Sequence, residues 1–337
     1  MLTQVFFRVD GGKIDGLGHI KRCISLSKSF KNRSVFNRPV FIVNKKNSTS
    51  KKILINNKCK YLEVNGKISS KKETLELIEI LSFNKRKILI LDSKRINKKY
   101  VANLKNYSKV IIFEDEKKYN SNPNLLINSN YWARKFYKNA NKKLLGLKYN
   151  TISQKFFKEN GFDFRSNKIL ISMGGEDPNN VTLKLISIIY KSIPNIKFLI
   201  IIGHSHPDRK SIKKFCEEKS INCKIINNPE DISVFLKNLR FVISAGGLSA
   251  YEFASARIPQ LVTILDRHQF KIANMIKKNN CGMILNHNSK LNSKKILHKF
   301  KNFFNHQEQL LTMSKNTKKL IKNSGCEKIV NNILKII

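Results

Sequence analysis

The stretch from Phe241 to Gln269, FVISAGGLSAYEFASARIPQLVTILDRHQ, constrains the fold most. An apolar run (Phe241 to Ile243) ends in Ser244-Ala245-Gly246-Gly247. A small-residue helix starts near Ser249, Pro259 stops it, and a second apolar run follows from Leu261 to Leu265. Strand, glycine turn, helix and strand make one βαβ unit, and ligands of open parallel sheets sit beyond the carboxyl ends of the strands. Adjacent glycines let a ligand approach the backbone closely. The first free N–H groups of the helix then face an anion without help from a basic side chain.

The same alternation runs through the chain in two series. In the first, Val5 to Val9 reads as a strand, Gly11 to Gly18 as a glycine-rich loop, and Ile20, Cys23, Ile24, Ser27 and Phe30 as a helical stripe. Val40 to Val43 and Tyr61 to Val64 read as strands, and Leu75, Leu77, Ile78 and Leu81 as a helix. Ile88 to Leu91 closes in Asp92, Val110 to Phe113 closes in Glu114-Asp115-Glu116, and Leu125 to Ile127 is the last strand. No strand pattern is visible between about Tyr131 and Ser166. The second series has strands at Ile169 to Met173, Phe198 to Ile202 and Lys224 to Ile226. Helices are expected at Val181 to Tyr190, Ser211 to Lys219, Asp231 to Asn238 and His268 to Asn279, with helices alone from Asn292 to Ile337. The expected class is α/β, with an N-terminal Rossmann-like domain over 1–150, a linker over 151–166, and a C-terminal nucleotide-binding Rossmann-like domain with a helical end over 167–337.

Composition removes other classes. With 337 residues and 41% apolar content the chain can bury real cores, so disorder is excluded. No apolar run approaches the ~18 residues of a membrane span, and the start, Met1 to Asp10, lacks a signal-peptide pattern. The six cysteines show no CxxC and no paired spacing, which points to reduced thiols and the cytoplasm. The net charge of +42 comes from lysines spread over the whole chain. That spread gives no specific nucleic-acid surface, though it would help draw in a polyanionic small molecule.

Five places carry candidate chemistry. Gly246-Gly247-Leu248-Ser249-Ala250-Tyr251-Glu252 reads as a phosphate cradle with Glu252 able to grip ribose hydroxyls, or as a capping box Ser249-x-x-Glu252. A nucleophile elbow fails because Tyr251 stands at the last glycine position. Gly16-Leu17-Gly18-His19 opens the first helix. It is a defective dinucleotide fingerprint, with Lys21 in the third glycine position and Asn44 where an acid would end the second strand. Its histidine can serve as a general base near neutral pH, or merely cap the helix. Met173-Gly174-Gly175-Glu176-Asp177-Pro178-Asn179-Asn180 is a second glycine turn, with Asp177 as cap and Pro178 at the first helical position. Asp92 and Glu114-Asp115-Glu116 end two strands as a cluster in an acid-poor chain, or are solvated loop carboxylates. His204-Ser205-His206-Pro207-Asp208 begins like a metal motif but has Arg209 where a further histidine belongs, so no metal is expected.

In order and spacing these motifs resemble the UDP-2,4-diacetamido-2,4,6-trideoxy-β-L-altropyranose hydrolases of pseudaminic acid synthesis. These belong to a wider group with spore-coat polysaccharide proteins and the lipid-II-forming N-acetylglucosaminyltransferase. The resemblance runs from Phe7 to about Gly282. It is carried by Arg8-Val9-Asp10, Gly16-Leu17-Gly18-His19-Ile20-Lys21-Arg22, Met173 to Asp177 and Ser244 to Glu252, with support from Leu91-Asp92, Phe113 to Glu116, Asn128 to Asn130 and His268-Gln269. It implies a GT-B-like fold, two Rossmann-like domains with parallel sheets facing a central cleft, and a C-terminal helix that returns to the first domain. It further implies metal- and cofactor-independent hydrolysis of a UDP-linked amino sugar for nonulosonic acid or surface polysaccharide synthesis, with His19 activating water. Substrate contacts would come from Gly16, Gly18, Asp92, Glu114, Gly174, Gly175, Asn180, Gly246, Gly247, Leu248, Ser249, Glu252, His268 and Gln269. Lys94 and Tyr251 depart from the family pattern at positions that bear on the sugar. The alternative is a glycosyltransferase that uses the same UDP-sugar with an acceptor hydroxyl in place of water.

Overall fold

A computed structural model describes residues 2–12, 16–31, 33–83, 86–115, 122–137, 142–158, 161–175, 177, 179–203, 206–287 and 290–337. The chain divides into two compact units: Met1–Ser153 with Ser324–Ile337, and Gln154–Asn323.

Unit 1 holds a seven-stranded sheet of β1 (Gln4–Val9), β2 (Val40–Asn44), β3 (Lys60–Val64), β4 (Lys87–Asp92), β5 (Lys109–Phe113), β6 (Leu125–Asn128) and β7 (Lys143–Leu145). Their order is β3-β2-β1-β4-β5-β6-β7 and every pairing is parallel. A parallel sheet covered on both faces reads as near-continuous apolar runs, which is why Ile88 to Leu91 and Val110 to Phe113 show no alternation. Helices α1 (Gly18–Lys31) and α2 (Ser48–Asn56) cover one face, where Val5, Phe7 and Val9 meet Ile20, Cys23, Ile24, Phe30 and Leu54. Helices α3 (Lys71–Ser82) and α4 (Lys98–Lys105) cover the other, where Phe6, Leu89 and Leu91 meet Leu77, Leu81, Tyr100 and Leu104. Ser70 caps α3 by accepting the Glu73 N–H (3.2 Å), and Asn97 caps α4 through the Tyr100 N–H (2.9 Å).

Two elements differ from the sequence reading here. The region after Tyr131 does contain a strand, β7, whose Lys143-Leu144-Leu145 is too short to announce itself as an apolar run. Residues 324–337, grouped by sequence with the second domain, belong to unit 1. Their helix α11 (Cys326–Leu334) lays Cys326, Ile329, Val330 and Ile333 against the face that holds α1, and the Arg33 guanidinium bonds Glu327 (3.1 Å) and Asn331 (2.8 Å). Burial of each large apolar side chain contributes ~1.5–3 kcal/mol, so this stripe outweighs the exposed ion pair. The resemblance to GT-B proteins implies this return.

Unit 2 holds β8 (Lys168–Ser172), β9 (Lys197–Ile202), β10 (Cys223–Asn227), β11 (Phe241–Ala245), β12 (Gln260–Thr263) and β13 (Gly282–Asn286), in the parallel order β10-β9-β8-β11-β12-β13. Helices α5 (Val181–Ile189), α6 (Arg209–Glu218), α9 (Ser293–Asn305) and α10 (Gln307–Leu320) share one core with Ile169, Ile171, Phe198 and Phe241. Phe241 stacks edge-on against Phe300 and Phe303. Helices α7 (Ser249–Ser255) and α8 (Phe270–Lys278) pack on β11, β12 and β13. Asp231 to Asn238, read as helix, forms only a 3-10 turn over Ser233–Phe235, because Asp231 turns its carboxylate onto the Ser233 N–H (3.0 Å) and starts no longer helix. The strand β13 has no counterpart in the sequence reading. The 151–166 stretch carries a 3-10 turn at Gln154–Phe157 and a bridge from Phe162 to Leu239.

Both sheets thus have the doubly wound order 3-2-1-4-5-6, with a seventh strand added to the first. In each, the direction of winding reverses between the first and fourth strands: β1 and β4 in unit 1, β8 and β11 in unit 2. The carboxyl end of that switch point is where such sheets take ligands.

Candidate active site

At the switch point of unit 1, β1 runs into Asp10 and Gly11. The base of the loop is pinned: the Gly11 N–H donates to Ser50 Oγ (2.8 Å), and that hydroxyl returns a bond to the Gly11 carbonyl (3.0 Å). A Cβ at Gly11 would meet Ile20 Cγ2 at 2.7 Å, so only glycine lets the loop press onto α1. The Gly12 N–H bonds the Gly16 carbonyl (3.0 Å), and Gly16 has φ +70°. The loop therefore delivers α1 with His19 as its second residue.

His19 Nδ1 lies 2.6 Å from Asp92 Oδ1 at the end of β4. A carboxylate only accepts, so Nδ1 carries a proton, and it is Nε2 that holds the lone pair whenever the ring is neutral. Arg22, one turn on along α1, grips the same carboxylate with two bonds: Nε to Oδ2 (2.6 Å) and Nη2 to Oδ1 (2.5 Å). Its Nη1 donates to Asp115 Oδ1 (2.7 Å), and its guanidinium lies 4.8 Å from the Phe113 ring centroid. The Asp92 side chain is fully buried. Burial alone would raise its carboxyl, but the charge and hydrogen bonds of Arg22, then those of His19, outweigh that and hold it well below the usual carboxylate range. The Cys23 thiol, 3.4 Å from Asp92 Oδ2, is pushed well up by burial and then by that carboxylate.

Glu114 is placed differently from its neighbour. Burial, then a hydrogen bond to Glu114, pushes the Tyr137 hydroxyl well above its ordinary value, and Asn128 Nδ2 donates to the same hydroxyl (3.3 Å). Of the carboxylates after β5, Asp115 reaches the histidine cluster through Arg22. Glu116 lies outside the described residues.

Arg8 and Asp10 of the Arg8-Val9-Asp10 motif form a separate buried group. Arg8 bonds Glu73 and lies 2.9 Å from Asp10, whose other oxygen accepts the Asn44 N–H (3.0 Å). It ties the ends of β1 and β2 to α3.

At the switch point of unit 2, two glycine turns follow β8 and β11. Gly174 has φ +87°, and a Cβ at Gly174, Gly175 or Gly247 would meet nothing within 4 Å. Gly203, at the end of β9, has the opposite constraint: its Cβ would fall 2.2 Å from the Gly174 carbonyl and 2.4 Å from that of Gly175. Gly246 is likewise obligatory, since its Cβ would meet the Gln269 carbonyl at 2.8 Å. Gln269 is held in turn by Oε1 accepting the Leu265 N–H (2.8 Å). His268 is exposed, its N–H bonded to Asp266 (2.8 Å).

Two capping expectations change. The Ser249-x-x-Glu252 capping box does not form: Leu248 occupies the N-cap, its side chain makes no cap bond, and Ser249 is already helical. The chain enters α7 through a tight turn, with Ala250 N–H on the Gly247 carbonyl (3.1 Å), which leaves Ser249 one position too far on. Asp177 does cap α5, but from outside it, accepting the N–H groups of Val181 (2.8 Å) and Thr182 (2.9 Å). The N-cap position itself is Asn180, left-handed at φ 48°, and among the described residues its buried Oδ1 has no partner. Glu176, Pro178 and His204 lie outside the described residues. His206 Nδ1 accepts the Asp208 N–H (3.1 Å), and its Nε2 lies 3.3 Å from Asp177 Oδ2. Among the described residues no cluster of three metal-ligating side chains occurs, and no helix is long and apolar enough to cross a membrane. All six cysteines are free.

Two parallel doubly wound sheets, each with a glycine turn at its switch point, make the GT-B fold. The structure of MurG from Acinetobacter baumannii shares this fold, with a TM-score of 0.73 at 11% identity and full coverage of both chains. Residues 151–330 match the glycosyltransferase family 28 C-terminal domain, and the chain belongs to that family. It is 29% identical over 104 residues to the spore coat polysaccharide biosynthesis protein SpsG of Bacillus subtilis, covering 30% of each chain. It is 31% identical over 134 residues to the UDP-N-acetylglucosamine–N-acetylmuramyl-(pentapeptide) pyrophosphoryl-undecaprenol N-acetylglucosamine transferase of Pelagibacter ubique, covering 38% of this chain and 36% of that one. The chain spans about half or less of the length of the curated relatives it matches (54%, 30% and 36%).

The family match corrects the expectation of a hydrolase: this is a transferase family. The physical reason is plain. The motifs behind the resemblance are of the kind that either reaction would use, since both need a donor site and a base. The difference lies in whether water or another hydroxyl is the nucleophile, and no motif quoted above reports on that.

Arg22 and Asp115 join the His19–Asp92 cluster in the structure, and sequence reasoning had left both without a role of their own. The signal for Arg22 was present: three residues after His19 on a helix, it shares the histidine's face.

Proposed function

We propose that the chain is a glycosyltransferase that moves a sugar from a UDP-sugar donor to a hydroxyl acceptor in the assembly of a surface polysaccharide. The family 28 match over 151–330 carries this reading. The donor's diphosphate is assigned to the backbone at Gly174, Gly175, Gly246, Gly247 and Leu248, where three of the glycines leave open space. Asn180 and Glu252 are assigned to the sugar and ribose. His19 is assigned as the base: Nε2 takes the acceptor's proton, the acceptor oxygen bonds the anomeric carbon, and the bond from that carbon to phosphate oxygen breaks, so that UDP leaves with the electron pair. Asp92 holds the ring's other nitrogen and stabilises the imidazolium that forms. A single displacement of this kind inverts the anomeric centre. The UDP base is supported by the name of the Pelagibacter relative.

The test is a panel of UDP-sugars incubated with saccharide and lipid-linked saccharide acceptors, read by mass spectrometry of the acceptor. The expected product is acceptor plus one sugar. Free sugar as sole product, at a rate independent of acceptor, contradicts the reading.

A further inference from the structure

We propose that Arg22 is a positioning residue that sets the proton affinity of His19 by sharing Asp92 with it. The inference rests on the reading of His19 as the base. Two cationic or potentially cationic groups converge on one oxygen: His19 Nδ1 and Arg22 Nη2 stand 2.6 and 2.5 Å from Asp92 Oδ1, and 3.1 Å from each other. Arg22 Nε takes the remaining oxygen, Oδ2 (2.6 Å). A buried carboxylate alone beside an imidazole favours the imidazolium, which cannot accept a proton. A guanidinium that takes both oxygens of the same carboxylate removes much of that bias. Asp92 is then left to orient the imidazole without locking it in the charged form.

The groups facing the pair fit this division. Asp115, following β5, takes the third guanidinium nitrogen (2.7 Å) and fixes where the fork points. The Phe113 ring lies under the guanidinium. Cys23, from α1, faces Asp92 Oδ2 as a neutral thiol. Glu114 is engaged with Tyr137.

The experiment is an NMR titration of the histidine rings in the full chain, with His19 assigned by its loss in His19→Gln. In Arg22→Gln the His19 ring is expected to titrate about one pH unit or more above wild type. In an Asp92→Asn background the same change should shift it by less than half as much, since the effect passes through the carboxylate. A midpoint in Arg22→Gln equal to wild type, or an equal shift in both backgrounds, overturns the proposal. Should the neutral variant not fold, Arg22→Lys carries the test. An ammonium cannot span both Asp92 oxygens, so the ring should titrate above wild type, and equal midpoints again overturn it. The titration needs no substrate. A chain that transfers no sugar refutes the transferase reading and leaves this measurement standing, and an unmoved midpoint refutes the coupling and leaves sugar transfer standing.

Discussion

The two switch points occupy the same place in two similar sheets and are built in opposite ways. At the end of β1 and β4, polar side chains grip one another: His19, Asp92, Arg22 and Asp115 make a continuous chain of bonds of 2.5 to 2.7 Å. At the end of β8 and β11 the side chains are missing, and Gly174, Gly175 and Gly247 face open space. Moving a proton needs one lone pair held in one direction, which a network of mutually bonded side chains supplies. Holding a diphosphate needs several N–H groups and room for its oxygens, which bare backbone supplies. On the proposed function, one architecture is put to both tasks by changing which residues follow two strands.

The comparison can be broken most sharply at the histidine. His19→Ala is expected to lower the turnover of sugar transfer by about 10²–10⁴-fold while leaving UDP affinity as in wild type. A loss of UDP affinity of similar size would place the residue in donor binding instead. The acid sensitivity of the network comes next. The Asp92 carboxyl is held below its unfolded value of about 3.9, so its stabilisation is complete above that pH and is lost as pH falls toward the folded value. Urea midpoints compared near neutral pH and below about pH 3 should fall more in wild type than in Asp92→Asn. Equal falls would mean that the carboxylate adds nothing.

The glycine side sharpens the contrast with smaller effects. Gly203→Ala drives a methyl into the carbonyls of Gly174 and Gly175, with an expected cost of about 1–3 kcal/mol and a weakened UDP affinity, read by urea unfolding and calorimetry. Asp177→Ala removes the cap of α5 and should cost ~0.5–2 kcal/mol. Gly247→Ala has space for its methyl and no positive φ, so stability should stay within about 0.5 kcal/mol while the donor KM rises. A KM equal to wild type would remove Gly247 from the donor site.

What the sequence made legible follows the same divide. The buried strands and glycine turns were readable, because continuous apolar runs and Gly-Gly pairs carry their cause locally. The helix α2 was not, since only Ser50 and Leu54 of its nine residues are buried, too few for a stripe. Helix α4, of eight residues, and β7, of three, are too short to show a period, and the short apolar run of β13 follows directly on the Cys281-Gly282 helix stop. Glu114 and Asp115 are adjacent in sequence, yet one engages Tyr137 and the other Arg22, a split that only the geometry after β5 decides. The Ser249 capping box failed by one residue of register. The nucleophile, water or an acceptor hydroxyl, leaves no mark in the motifs, and the family match supplied that correction.

The most direct measurement is UDP release from a preferred UDP-sugar, with and without acceptor, in wild type and His19→Ala. Release that requires the acceptor and collapses in the variant is the expected result. Release that runs at full rate without acceptor, or survives the loss of the imidazole, would contradict a transferase whose base is His19.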